Sequence, residues 1–270
     1  MTTAETDNPR TASVLTASVL TVQRGMQVLR AFHSDRLPLG NAELVRRTGL
    51  SKATVSRLTT TLLQLGYLRH VPGGRQFELT VAPLAMGHAY AATSELVERA
   101  GPFLQELADR LEVNATLAMP DGLDMLYVGY RAGRHTTTLR YGVGSLVPMG
   151  QTAIGRAYVW SLPARQRQSM VATLVAQAGP QADQVEAGIA QAFEDLAQSG
   201  MCGVFGSFRR HTFGLARPVQ IGRQKTRMAM SCGNVAIQGN AAAEYRRIAP
   251  ALMSASSALE ALLADLDDFA

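Results

Sequence analysis

Apolar residues in the first third of the chain recur at intervals of three or four, the spacing of one helical face. They predict a first helix whose apolar face carries Val22, Met26, Leu29 and Phe32. A second helix is expected over residues 41–47, capped by Asn41 and ended by Gly49. A third helix is expected from the cap residue Ser51 onwards, with an apolar face of Val55, Leu58, Leu62 and Leu65.

Two short stretches after the third helix alternate between apolar and polar residues. Residues 67–70 and 76–79 flank Pro72-Gly73-Gly74, which predicts a β-hairpin with a glycine tip. Three short helices followed by a hairpin are typical of a winged helix-turn-helix. We therefore expect a DNA-binding domain over residues 19–80. Residues 1–18 are expected to form a flexible tail, which includes the first copy of the pentapeptide TASVL that is duplicated over residues 11–20.

The rest of the chain alternates between helix-like and strand-like segments. A linker helix is expected over residues 81–93, and a second domain over residues 94–270, which begins with a helix ending near residue 111. Strands are expected near residues 115–119, 126–130, 136–141, 203–208, 214–221 and 227–233. Helices are expected near residues 152–160, 164–177, 184–198 and 242–266. This order predicts an α+β domain with an antiparallel sheet flanked by helices.

Positive charge is concentrated in the predicted DNA-binding domain. Between residues 19 and 90, nine Lys and Arg stand against three Asp and Glu, whereas the whole chain has a net charge of only +5. Residues 44–77 contain no acid at all. A basic unit joined to a nearly neutral one indicates that the first unit contacts a polyanion.

The side of the third helix opposite its apolar face carries small and polar residues, which suit the major groove. Lys52 and Arg57 can donate to guanine or to phosphates, and Arg69 and Arg75 flank the hairpin tip, where they suit the DNA backbone or minor groove. The predicted DNA-binding residues are Ser51, Lys52, Ala53, Thr54, Ser56, Arg57, Thr60, Arg69 and Arg75. A helical hairpin used only for protein contacts is the alternative, but it leaves the acid-free stretch unexplained.

Other classes of protein are disfavoured by the composition. No apolar run is long enough to cross a bilayer, and the N-terminus lacks a secretory signal, so a cytoplasmic protein without a membrane partner is expected. Cys202 and Cys232 are too few for a cysteine-rich zinc site. The five histidines have no metal-ligand spacing, and no nucleophile elbow or phosphate-binding loop occurs. We expect neither an enzyme nor a bound metal or cofactor.

Several segments of the chain resemble the IclR family of bacterial regulators. In the first domain they are TVQRGMQVLRAF, NAELVRRTGLSKATVSRLTTTLLQLGYL and GRQFELT; in the second they are DGLDMLYVGY and GVGSLVPMGQTAIGRAYVW. The resemblance implies a GAF-like effector-binding domain and a homodimer or homotetramer on palindromic operators. It also implies a transcriptional regulator of neighbouring catabolic genes, more often a repressor than an activator.

The resemblance further places an effector cavity in the second domain. Carried over by position, the residues that line it are Leu139, Ala153, Ile154, Val204, Gly214 and Ser231, with Met149, Phe205 and Phe213 close by. A register slip of one residue near Gln224 would instead bring Met230 and Cys232 to the cavity.

Three departures from the family pattern bear on the ligand. The family often has an acid where Val204 stands, a cysteine where Gly214 stands and a second serine where Gly233 stands. A cavity with fewer polar groups and more aromatic and Met side chains favours an aromatic acid over a small keto acid. A constitutive DNA-binding or architectural protein, whose second domain only oligomerises, is the alternative. Saturable binding of a small molecule would distinguish the two.

Overall fold

The computed structural model of the chain describes residues 9–32, 37–136, 141–208, 211–235 and 241–267. It divides into two compact units, Met1–Ala89 and Tyr90–Ala270. Among the described residues, no helix has the length and apolar character needed to cross a membrane.

The first unit is a winged helix-turn-helix, as predicted. Its elements are α1 (Pro9–Arg30), α2 (Asn41–Thr48), α3 (Lys52–Gln64), β1 (Leu68–His70) and β2 (Phe77–Leu79). β1 and β2 pair antiparallel, and Leu39 adds a bridge to Phe77, with N–O distances of 2.9 and 2.8 Å. The core between the helices and the hairpin contains Val28, Leu44 and Val55.

The N-terminal helix differs from its prediction in length and in its buried face. It begins at Pro9, so residues 9–18, expected to be a flexible tail, are helical. Nothing between Pro9 and Val22 breaks a helix, and proline is tolerated at the first helical position. Val28 of this helix is buried, whereas Val22 and Met26 are 66% and 46% exposed.

Two further details of the helix-turn-helix were wrongly predicted. Asn41 is not the cap of α2: the cap position is Gly40, and Asn41 Oδ1 is buried without a hydrogen-bond partner among the described residues. Leu65 is largely exposed, because α3 ends at Gln64 and the chain turns away from the core there. Thr59 is buried on the apolar face instead, with its hydroxyl donating to Val55 O at 3.0 Å.

The second unit is the predicted α+β domain. After the helix α4 (Ala82–Thr93), its elements are α5 (Glu95–Leu111), β3 (Asn114–Asp121), β4 (Asp124–Ala132), β5 (Leu146–Pro148), α6 (Ala153–Ser161), α7 (Ala164–Gln177), α8 (Ala182–Ser199), β6 (Cys202–Phe205), β7 (Thr212–Ile221), β8 (Thr226–Val235) and α9 (Ala241–Leu262). The predicted strand over 136–141 lies mostly outside the described residues, and its two described ends are not in a strand. The edge strand β5, five residues later, was not predicted.

The six strands form one antiparallel sheet in the order β5-β4-β3-β8-β7-β6. Helices α5 and α9 pack on one face, and α6 and α8 pack on the other. Met230 and Cys232 lie in the core under α5 and α9, so Ser231 and Gly233 face α6. The alternative register, with Met230 and Cys232 on the α6 side, is therefore not the one in the structure.

A β-bulge interrupts the pairing of β3 with β4. Ala118 pairs with Tyr127 and Leu117 with Gly129, so Val128 is an additional residue opposite no partner. In a regular strand, residues three apart face opposite sides, but the bulge places Tyr127 and Tyr130 on the same side. Glycine suits position 129, next to the bulge, because a Cβ there would lie only 2.6 Å from Leu104 Cδ1.

Candidate DNA interface and ligand cavity

The outer face of α3 has the exposure expected of a recognition helix. Ser51 caps the helix, since its Oγ accepts from Thr54 N at 3.2 Å. Thr54 is half-buried, and its hydroxyl bonds to that of Ser51 at 2.9 Å. The other predicted positions on this helix are exposed, namely Ser51, Lys52, Ala53, Ser56, Arg57 and Thr60. This face therefore offers hydroxyls and two cations to an approaching surface.

An arginine of α1 also lies at this face, although it was not predicted. Arg24 and Arg57 line the same shallow cleft between α1 and α3, together with Thr21, Thr54 and Thr61. Neither guanidinium forms an ion pair within the described part of the first unit. Two cations so placed are suited to a phosphate oxygen, which the sequence pattern of α1 alone did not indicate.

Some of the basic residues of this unit are neutralised by acids. Arg69 Nε lies 2.8 Å from Glu78 Oε1 across the hairpin, although its side chain is still 67% exposed. On α2, hydrogen bonds from Arg46 and Arg47 lower the pKa of Glu43 to about 2. Arg75, at the hairpin tip, is exposed and has no acid within ion-pair distance in the described residues. Positive charge available to DNA is thus concentrated on α3, on the neighbouring Arg24 of α1 and at the tip.

A cavity of about 650 Å³, including its open mouth, lies between the sheet and the start of α6. Six of the predicted effector residues line it: Ala153, Ile154, Val204, Phe213, Gly214 and Ser231. Leu139 lies outside the described residues.

Two predicted effector residues do not line the cavity. Met149 is fully buried in the core beneath α6. Phe205 follows Val204 in β6 and does not line the cavity; its ring stacks on that of Phe213, with the centroids 6.1 Å apart. Position in a motif was thus a poor guide at these two residues, because strand alternation and core packing decide which side chains reach the cavity.

Tyrosines form a wall of the cavity that was not predicted. Tyr127 and Tyr130 stack with centroids 6.2 Å apart, and Tyr141 meets Tyr127 edge-on at 5.9 Å. Burial raises the pKa of Tyr127 and raises that of Tyr130 to about 12, so both phenols are neutral donors at neutral pH. Tyr130 donates to Asn114 Oδ1 at 2.8 Å. The DMLYVGY segment contains two of the tyrosines, but their shared orientation depends on the bulge at Val128.

The remaining wall combines polar groups with the first turn of α6. Thr152 caps this helix: its Oγ1 accepts from Gly155 N at 3.3 Å and donates to Pro148 O at 2.8 Å. Thr116 and Ser231 add hydroxyls from the sheet. No described lining residue carries a charged side chain. The positive end of the α6 dipole and the neutral hydroxyls are therefore the groups here that can bind an anion.

The two cysteines are buried, and their thiols are protonated. Burial raises the pKa of both Cys202 and Cys232 to about 12, so both are neutral thiols at neutral pH. Within the described ranges, no cluster of three His, Cys, Asp or Glu could hold a metal ion.

Comparison with known families decides the identity of the fold. The model of the IclR helix-turn-helix domain matches residues 21–72, and the model described as bacterial transcriptional regulator IclR C-terminal matches residues 88–202. The chain belongs to the IclR family. The resemblance noted in the sequence is thereby confirmed, and so is the pairing of a helix-turn-helix domain with an α+β domain.

Curated relatives from this family are transcriptional regulators. The chain is 33% identical over 168 residues to the HTH-type transcriptional regulator TsaQ1/TsaQ2 of Comamonas testosteroni, covering 62% of this chain and 60% of that protein. It is 33% identical over 134 residues to the Pca regulon regulatory protein of Pseudomonas putida, covering 49% and 45%. The matches thus span about half to three-fifths of these IclR-family relatives.

Solved IclR-family structures share the whole fold. An IclR family transcriptional regulator from Brucella abortus superposes with a TM-score of 0.78 at 29% identity, covering 89% of this chain and 91% of that one. An IclR homologue from Microbacterium hydrocarbonoxydans, complexed with 4-hydroxybenzoate, superposes with a TM-score of 0.60 at 16% identity, covering 90% and 98%.

Proposed function

We propose that this protein is a repressor that binds double-stranded operator DNA and is controlled by a small aromatic acid. The proposal rests on two features of one chain: an exposed basic recognition helix in the first unit, and a cavity lined by tyrosines and hydroxyl groups in the second. A protein that only bound DNA constitutively would not need the cavity.

The DNA-binding part of the proposal rests on α3 and the hairpin. The acid-free surface of α3 presents Lys52 and Arg57 beside small hydroxyl side chains that do not obstruct entry into a groove. Arg75 extends from the hairpin tip, where it is placed to contact the DNA backbone or the adjacent minor groove. Ion pairing of Arg69 with Glu78 reduces, but does not remove, its contribution.

The ligand part of the proposal rests on the chemistry of the cavity walls. Stacked and edge-on tyrosines suit a flat ring. The neutral hydroxyls and the start of α6 suit a carboxylate, since they can donate hydrogen bonds without an ion pair. The complex of the Microbacterium hydrocarbonoxydans protein with 4-hydroxybenzoate is an instance of this fold that holds an aromatic acid.

Two measurements on the full-length protein test the proposal. Selection of genomic DNA fragments, followed by footprinting, should yield a protected operator with two-fold symmetry. A thermal-shift screen against aromatic acids and small keto acids should identify a ligand that raises Tm and changes operator affinity. Protein that binds no preferred DNA sequence would contradict the first part. Operator binding that no stabilising ligand alters would instead favour the constitutive alternative.

Lys52→Ala should weaken binding to operator and to random DNA by the same factor. Lys52 is exposed at the first turn of α3, where it suits a phosphate and not a base edge. Loss of one phosphate contact should also reduce the slope of log K against log salt by about one. Titrations at several salt concentrations measure both effects. A loss confined to operator DNA would instead assign Lys52 to base reading.

The protein should be at least a dimer in solution. Val22 and Met26 leave an apolar strip exposed on α1, which a second copy of this unit can cover. Two linked recognition helices also gain affinity through effective concentration. Light scattering at micromolar concentration should give a mass of at least twice 28.9 kDa. A monomeric mass would exclude this arrangement.

A further inference from the structure

A buried arginine on α6 has no acidic partner. Arg156 is 7% exposed, and its Nε donates to Gly150 O at 3.0 Å. Its terminal nitrogens form no ion pair with any residue that the structure describes. Burial lowers the pKa of its guanidinium, because the charged form loses its contact with water there. An uncompensated buried cation is strongly unfavourable, so a counter-charge is expected nearby.

The packing of α8 against α6 is shaped around this guanidinium. A Cβ at Gly188 would lie 2.3 Å from Arg156 Nη2, so the missing side chain at Gly188 leaves the space that the guanidinium occupies. The guanidinium of arginine presents a planar fork of N–H donors.

The fork borders a recess on the α8 side of α6. The recess spans about 490 Å³ including its open mouth, and its walls include Gln151, Gln181, Gln184 and Ser207. The carboxamides and the hydroxyl are neutral hydrogen-bond donors, and Gln151 Nε2 donates to Gln181 Oε1 at 3.1 Å. The lining residues include no acid, and none of them is shared with the larger cavity.

We propose that this recess is a second ligand site, in which Arg156 and the surrounding carboxamides bind a small oxyanion. The shared chemistry is a group with two or more oxygens in the geometry of the guanidinium fork, carried either by inorganic phosphate or sulfate or by a carboxylate. The bound anion supplies the negative charge that Arg156 lacks among the described residues. This site is distinct from the proposed effector cavity, and its test requires neither DNA nor effector.

The test measures the Tm of the full-length protein against phosphate, sulfate and acetate at constant ionic strength, with chloride as the reference anion. Saturable stabilisation by at least one of the three is expected, with Tm rising by roughly 2–4 °C when the anion is about ten times its Kd. Preference for the tetrahedral anions would assign the site to phosphate or sulfate, and preference for acetate would assign it to a carboxylate. A response no different from that to chloride overturns the proposal.

A variant that supplies the counter-charge from the chain provides the second arm. Gln184→Glu should pair with Arg156, raise Tm in the absence of phosphate and remove the dependence on the oxyanion. Gln198→Glu makes the same change on an exposed part of α8 outside the recess. Its Tm should still depend on the oxyanion. If Gln184→Glu does not fold, Gln181→Glu places a carboxylate in the same recess. An oxyanion response that is unchanged in the folded Glu variant overturns the proposal.

Discussion

Ala153→Phe is expected to abolish the response of operator binding to the effector while leaving operator affinity in the absence of effector unchanged. Ala153 stands in the first turn of α6, and its Cβ is 3.8 Å from the position that a Cβ on Gly214 would take. The two residues thus lie next to each other in the wall of the cavity. A phenyl ring at position 153 fills the space that the ligand would occupy, whereas the first unit is not altered.

The measurement is operator release as a function of effector concentration, with Tm and oligomeric mass recorded for each variant. Overpacking commonly costs about 1–3 kcal/mol, so a lower Tm alone is no surprise. Ala153→Ser, which adds one hydroxyl, serves as the matched control and should still respond. If Ala153→Phe folds, binds operator and responds as the wild type does, the effector binds elsewhere.

Arg57→Ala is expected to weaken operator binding by roughly 1–3 kcal/mol, which is about 5- to 150-fold, if the side chain reads a base. Arg57 follows the buried Val55 by two positions and lies on the exposed face of α3 beside Arg24. Binding to random DNA should fall much less, because the remaining phosphate contacts persist.

Titration of operator and random DNA with the same preparations separates these effects. Arg165→Ala removes one exposed arginine from α7 in the second unit and provides a control of equal charge change. Unchanged operator affinity in Arg57→Ala would remove this residue from the interface. An equal loss on both DNAs would show that it contacts phosphate only.

The first unit was the more predictable part of the fold. Its helices and hairpin follow from local signals: the 3.6-residue period, the Ser51 cap, and Gly49 with a positive φ at the end of α2. The errors occurred where tertiary contacts decide. Leu65 matched the period of α3, yet it is exposed because the helix ends before it. Val22 and Met26 matched the period of α1, yet both are exposed among the described residues.

The cavity was less predictable, because its walls come from strands distant in sequence. Ala153, Gly214 and Ser231, which were expected from motif positions, do line the cavity, since the start of α6 and the alternation of β7 and β8 fix their places. The tyrosines were missed, since a regular strand would send Tyr127 and Tyr130 to opposite faces. Arg156 stood within a recognised motif, but its burial against Gly188 depends on the packing of α8.

The bulge at Val128 has a consequence for how ligand preference can diverge among related proteins. Loss of one codon within β4 would restore regular pairing with β3 and turn one of the two tyrosines away from the cavity, towards Leu104. A chain could therefore change the compound that it senses by an insertion or deletion, with every cavity residue still encoded. Relatives that carry the same tyrosines need to be compared by strand length as well as by residue identity.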